Sequence, residues 1–174
     1  MPRVTPSLAF LTALLAPTPS RAANNPLEPL AWLVGGTWVA ELPAKGDPLS
    51  VHLTVQWSAH KQYLKYAIVF KTKDADVPQY EGVYFWHPAA KEIRLLQIDR
   101  AGQVTESVLT VADGKFTQKN TLTRKDGTKQ EQRTELTRDG DDAFRFRALV
   151  PKGDDWVEGL NLTYKRATEA PPKK

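Results

Sequence analysis

From Thr37 onward, apolar and polar residues alternate with a period of two, and turn sequences interrupt the alternation roughly every ten residues. A period of two places successive side chains on opposite faces of a β-strand. No interval between turns has room for the helix that a parallel crossover needs. The pattern therefore predicts an all-β fold, an up-and-down meander of about ten antiparallel strands. We expect it to close into a barrel, because closure removes both sheet edges.

The segment before the first strand, LAWLVGGTW, runs from Leu30 to Trp38. Its first residues predict one short helical turn. Gly35 and Gly36 permit a sharp turn of the backbone where a side chain would clash. Trp38 can then point inward and close one end of the barrel, so we expect a short N-terminal helical plug.

The first residues of the chain have the pattern of a secretory signal peptide. Arg3 supplies a positive start, Leu8 to Ala16 form an apolar run too short to span a bilayer, and Ser20-Arg21-Ala22 fits a small-x-small cleavage site. A signal peptide cleaved near Ala22 would direct the protein to the periplasm or outside the cell. No other run approaches membrane length, so no membrane span is expected.

The predicted organisation is a single domain with flanking segments. The expected boundaries are 1–22 for the signal peptide, 23–29 for a polar lead-in, 30–166 for the barrel and 167–174 for a disordered tail.

The chain of 174 residues contains no cysteine, which excludes disulfides, cysteine-ligated metals and a lipid-anchored cysteine. An exported domain without disulfides suits the periplasm. The formal net charge is +4, but basic and acidic residues are interleaved. Without a basic patch carrying stacking aromatics, a nucleic-acid partner is not expected. The oligomeric state stays open.

Within each strand, the large apolar residues indicate which face points inward. Residues two positions apart share that face, a rule here called parity. Parity predicts a cavity with an aromatic wall and a polar wall. The predicted ligand-binding residues are Trp57, Tyr66, Tyr84, Trp86, Glu106, Gln118, Asn120, Gln132 and Glu158. Buried amides and carboxylates need partners or water, which favours a hollow interior. In the alternative interpretation, the polar residues of the later strands face solvent.

Candidate catalytic and metal-binding residues are sparse. His52, His60 and His87 lack ligand-like spacing, so no metal site is predicted. The serines lack the context of a nucleophile elbow, and no catalytic residue is assigned. Glu106 and Glu158 could form an acid/base pair if they met across the cavity.

The opening LAWLVGGTW resembles the start of calycin-type barrels, the superfamily of lipocalins and fatty-acid-binding proteins. Together with YEGVYFWHPAAKEIRLLQID and the closing WVEGLNLTYKR, it is most similar to nitrobindin-like and related uncharacterised bacterial lipocalin-like domains. The resemblance spans Leu27 to Arg166 and implies a lipocalin-like barrel. Nitrobindins hold haem through a histidine near the final strand. The matching region, Glu158 to Asn161, contains none, so no haem cofactor is expected.

Three functions are compatible with these features. The leading hypothesis is a non-catalytic, exported barrel that binds a small amphipathic molecule, neutral or cationic if carboxylates line the cavity. The first alternative is an isomerase or hydrolase that uses Glu106 and Glu158. The second is a structural or envelope-interaction module with a solid core.

Overall fold

The computed structural model of the chain describes residues 25–42 and 49–167. The predicted signal peptide, and all but the first residue of the predicted tail, lie outside these ranges. One 3₁₀ helix, Glu28–Leu33, precedes ten strands. The strands are β1 (Thr37–Leu42), β2 (Leu49–Trp57), β3 (Tyr63–Lys71), β4 (Asp76–His87), β5 (Glu92–Asp99), β6 (Val104–Ala112), β7 (Lys115–Thr123), β8 (Lys129–Asp139), β9 (Ala143–Lys152) and β10 (Asp155–Arg166). Within the described ranges, no helix has the length and hydropathy needed to cross a membrane.

The ten strands form one closed antiparallel barrel in which each strand pairs with its sequence neighbours and β1 pairs with β10. The predicted all-β class, the strand number and the meander topology are confirmed. The tight turns occur where the Asp-Gly pairs predict them, with Gly114 and Gly127 at positive φ.

Two irregularities interrupt the ladders. One shifts the register of β3 against β4 between Ile68 and Val69, and the other shifts β10 against β9 between Glu158 and Leu160. The first lies opposite Pro78, which belongs to β4. Proline cannot donate a ladder hydrogen bond, and a bulge tolerates it.

The 3₁₀ helix and the start of β1 close one end of the barrel, here called the plug end. Gly35 and Gly36 have φ values of 86° and 66°, so the sharp turn requires glycine. Trp38 is fully buried and donates from Nε1 to the carbonyl oxygen of Leu33 at 2.9 Å. Its ring packs edge-on against Phe144 at a centroid distance of 5.1 Å. The predicted inward plug of Trp38 is therefore present.

Arg166, the last residue of β10, fastens the plug to the barrel. Its guanidinium lies over the ring of Trp38, 4.1 Å from the ring centroid. It also donates to the carbonyl oxygens of Trp32, at 3.0 Å, and of Gly35. One planar cation thus ties the beginning of the domain to its end.

Candidate ligand-binding cavity

A cavity of about 250 Å³ occupies the barrel interior between the plug and the opposite end. We call that opposite end the cavity end; the β3–β4, β5–β6, β7–β8 and β9–β10 hairpins turn there. Among the described residues that line the cavity, none carries a charged side chain. Its walls are tyrosine and phenylalanine rings, aliphatic groups, and a cluster of amides and threonines.

The aromatic wall centres on Tyr66 of β3 and Tyr84 of β4, whose ring centroids lie 5.5 Å apart. The hydroxyl of Tyr66 donates to Gln97 Oε1. The hydroxyl of Tyr84 accepts a 2.9 Å hydrogen bond from Gln118 Nε2, across the interior. Each phenol is therefore held by an amide, which fixes the orientation of its ring.

Burial favours the neutral form of three tyrosines in the cavity lining. Removal from water raises the pKa of Tyr84 to about 12, against which the hydrogen bond from Gln118 acts only in part. Burial also raises the pKa of Tyr66, with further contributions from Tyr84 and Tyr80, and the pKa of Tyr164. The same desolvation opposes any unpaired charge brought into the cavity.

The polar wall is formed by β7 and β8. Gln118 and Asn120 are each only 5% exposed, and Gln132 and Thr134 complete this side of the cavity. Asn120 Nδ2 donates to Thr134 Oγ1 at 2.8 Å. Parity places these residues inside, as expected, because Phe116 and Leu136 share their faces and are buried. That they bind a ligand stays a prediction.

Two buried polar atoms beside this wall have no hydrogen-bond partner among the described residues: Asn120 Oδ1 and Ser107 Oγ. Ser107 and Asn120 are direct partners in the β6–β7 register. A buried acceptor without a partner is costly, and natural proteins retain few of them. The polar wall and the adjacent Ser107 therefore contain hydrogen-bonding groups that the described residues do not use.

Gly82 of β4 allows Tyr66 to lie flat across the sheet toward Gln97. A Cβ at Gly82 would approach the Tyr66 ring to 2.5 Å and the carbonyl oxygen of Leu96 to 2.7 Å. The aromatic wall therefore depends on the absence of a side chain at this position.

Trp57 and Trp86 pack against the core but do not line the cavity. Each lies on the predicted face of its strand, but near the plug end of that strand, where Trp57 pairs with Leu64 and Trp86 pairs with Ile93. Parity identifies a face and not a height along the barrel axis. The prediction that these two residues line the cavity is wrong for this reason.

Glu106 is exposed, and the prediction that it faces the cavity is wrong. The inward residues of β6 are Thr105, Ser107 and Leu109, all buried. The aliphatic residues of β6 lie on both faces, so two valines on the outer side indicated the wrong direction. The cost of burying a carboxylate outweighs the gain from burying part of a valine.

Glu158 is also exposed, which corrects the prediction for β10. The register shift beside Gly159 separates it from Leu160 and Leu162, which line the cavity. Glu158 accepts a 2.7 Å hydrogen bond from Arg147 Nε. That bond, and then one from Asn161, lowers the pKa of the Glu158 carboxyl. With both carboxylates outside, the proposed acid/base pair has no shared cavity.

The histidines lie away from the cavity lining. His52 is half-buried on β2 with its Nε2 3.0 Å from Ser50 Oγ, and His87 Nδ1 accepts from the backbone N–H of Ala90. His60 lies in the exposed β2–β3 turn. In the described part of the chain, no three His, Asp or Glu side chains cluster in a way that could hold a metal ion.

Gln97 and Thr105 line the cavity but were not among the predicted site residues. Gln97 follows Ile93 and Leu95 in strict alternation, and that pattern was sufficient to identify it. Thr105 was missed because assigning Glu106 to the inner face of β6 assigned its neighbour Thr105 to the outer face. Tyr80 and Tyr164 also line the cavity and extend its aromatic surface.

A larger groove of about 1000 Å³ lies on the outer surface of β2 to β5. Leu96 and Ile98, on its floor, are 40% and 49% exposed. The smaller interior cavity is the stronger candidate for a small-molecule site, because walls on several sides desolvate a ligand and buried amides can orient it.

The comparisons with known proteins concern the fold. No family model and no curated protein matches the chain. Among solved structures, the chain is similar to the crystal structure of Rv2717c from M. tuberculosis, with a TM-score of 0.55 and 15% sequence identity. The match covers 82% of this chain and 98% of that one. At this identity the likeness supports the barrel architecture alone.

Proposed function

We propose that this protein is an exported, lipocalin-like barrel that binds a small amphipathic molecule in its interior without catalysing a reaction. The observation that carries the proposal is the cavity of about 250 Å³, with tyrosines on one side and buried amides on the other. Its volume lies just below the ~300–1,000 Å³ typical of ligand pockets. A compact ligand fits better than a long acyl chain.

The placement of the carboxylates changes the expected charge of the ligand. Inward carboxylates would have favoured a cation, but Glu106 and Glu158 face outward. An uncharged lining favours an uncharged ligand. The enzymatic alternative loses its acid/base pair, and the cavity is at odds with the solid core that a purely structural module requires.

The test is thermal stabilisation by a panel of lipids, amines, pigments and small neutral aromatics. A ligand at a hundred times its Kd stabilises the folded state by about 2.7 kcal/mol. For a domain of this size, the melting temperature would rise by roughly 5–10 °C.

A cavity-filling variant locates the binding. Ala148 lines the cavity, so Ala148→Phe should abolish the stabilisation, whereas Ala112→Phe at the exposed end of β6 should retain it. No stabilisation by any uncharged compound would overturn the proposal, as would equal stabilisation of both variants.

Export is tested separately. Expression of the full chain in a Gram-negative host, followed by intact-mass measurement of the periplasmic fraction, should give a chain cleaved near Ala22. A full-length chain confined to the cytoplasm would contradict export.

A further inference from the structure

We infer that the cavity selects an uncharged ring compound that donates an N–H or O–H hydrogen bond to the side-chain oxygen of Asn120. The inference rests on the proposed function and specifies the chemistry of the ligand.

The hydrogen bonds of Asn120 indicate which partner the ligand supplies. Its amide nitrogen is already used, since Nδ2 donates to Thr134 Oγ1 at 2.8 Å. Asn120 lines the cavity, and its side-chain oxygen is buried and has no donor among the described residues. An amide oxygen only accepts, so a ligand that satisfies it must donate.

Neighbouring side chains do not meet this requirement. Ser107, the register partner of Asn120, makes no hydrogen bond through its hydroxyl within the described structure. Gln118, two residues away on the same face, directs its amide nitrogen to the hydroxyl of Tyr84. The acceptor of Asn120 is therefore left without a partner from the described residues.

The opposite wall defines the rest of the ligand. Tyr66 and Tyr84 present neighbouring rings that are held in place by Gln97 and Gln118. Rigid aromatic walls favour a flat ring over a flexible chain, because ring contacts are made with little loss of conformational freedom. The volume of about 250 Å³ limits the ligand to a compact ring system.

The cavity lining disfavours a charged ligand on all sides. The described cavity lining contains tyrosines, amides, threonines and apolar groups, and no cation or carboxylate. An ionised ligand would lose its hydration without gaining a counter-ion. A neutral molecule loses far less on entering.

The experiment uses size-matched probes and isothermal titration calorimetry on the purified mature protein. Indole carries a ring N–H donor, indene replaces it with carbon, and benzofuran replaces it with an acceptor oxygen. Tryptamine and indole-3-acetate add a positive and a negative charge. We expect indole to bind roughly ten- to a hundredfold more tightly than indene or benzofuran, because only indole satisfies the buried oxygen. We also expect it to bind more tightly than either charged analogue.

Asn120→Leu should remove the preference for indole while preserving the binding of indene. The matched control, Thr121→Leu, changes the next residue on the opposite face of the same strand and should retain the full preference. If Asn120→Leu does not fold, the comparison of the three ring compounds on the unmodified protein still decides the question.

Equal binding of indole and indene, or tighter binding of benzofuran or of a charged analogue, would overturn the inference and leave an interior binding site standing. If none of the five probes binds, the inference fails. Failure of the proposed function itself requires the separate result that the broad ligand panel also gives no stabilisation.

Discussion

The plug end and the cavity end of the barrel are built from different chemistry. At the plug end, the rings of Trp32, Trp38 and Phe144 pack in a mutual cluster with centroid distances of 5.8, 5.4 and 5.1 Å. At the cavity end, buried amides line a void, and the oxygen of Asn120 has no partner among the described residues.

This difference shows how stability and binding are divided along one barrel. Close-packed rings contribute dispersion and hydrophobic energy without specifying a ligand. Buried polar groups that are only partly satisfied lower stability, and proteins retain them where a function uses them. We therefore expect the plug end to contribute more to stability, and the cavity end to carry the proposed binding.

The largest effect is expected at the plug. Trp38→Ala leaves a hole in the ring cluster and removes the surface on which Arg166 lies. It should lower the free energy of unfolding by about 3–5 kcal/mol, measured by urea denaturation followed by circular dichroism. The control Trp156→Ala removes a ring that is 36% exposed and lies under the Arg133 guanidinium, so it should cost less, about 1–2 kcal/mol. Equal losses in the two variants would contradict a special role for the plug.

Gly82→Ala should damage the aromatic wall of the cavity. The added Cβ would overlap the Tyr66 ring and the backbone of β5, at a cost of about 1–3 kcal/mol. Gly159→Ala is the matched control, because its nearest non-neighbouring atom would lie 3.8 Å from the new Cβ. Thermal unfolding of both variants measures the difference. A tolerated alanine at 82 would show that Tyr66 need not lie across this strand.

Alkaline pH should weaken the cavity end. The unfolded state releases the Tyr84 proton near pH 10, while the folded state holds it to about pH 12. The stabilisation is therefore fully present below pH 10 and is lost as pH rises from 10 to 12. Urea denaturation across this range should show a smaller decline for Tyr84→Phe than for the unmodified protein. An identical decline in stability in the two proteins would show that Tyr84 does not cause the sensitivity to alkaline pH.

The smallest effect is expected for the two carboxylates once assigned to the interior. Both residues lie on the exposed surface. The variants Glu106→Gln and Glu158→Gln should therefore leave the melting temperature and the affinity for indole unchanged within error. Loss of indole binding in either variant would indicate that the carboxylate faces the cavity after all.

The fold was predictable because a period of two and regularly spaced turns leave few alternatives to an antiparallel barrel. The inward faces of β7 and β8 were predictable for the same reason, since Phe116 and Leu136 identify them without conflict. Parity failed at Glu158, where a bulge beside Gly159 resets the alternation. It also failed at Glu106, where apolar residues occupy both faces of the strand.

The position of a residue along the barrel was not predictable from the sequence. Trp57 and Tyr66 belong to equally convincing apolar faces, yet Trp57 packs at the plug end and Tyr66 lines the cavity. Height depends on the stagger between neighbouring strands, which is fixed by long-range pairing and not by local pattern. The hydrogen bond between Tyr84 and Gln118, 34 residues apart in sequence, likewise requires the closed barrel.

The most direct test of this account is a titration of the ¹⁵N-labelled protein with indole, followed by amide chemical shifts. Binding in the cavity should shift the amide signals of Tyr66, Tyr84, Gln118, Asn120 and Thr134, with little change at Trp38 or on the outer surface at Ile98. Shifts centred on Leu96 and Ile98, or spread evenly over both ends of the barrel, would contradict it.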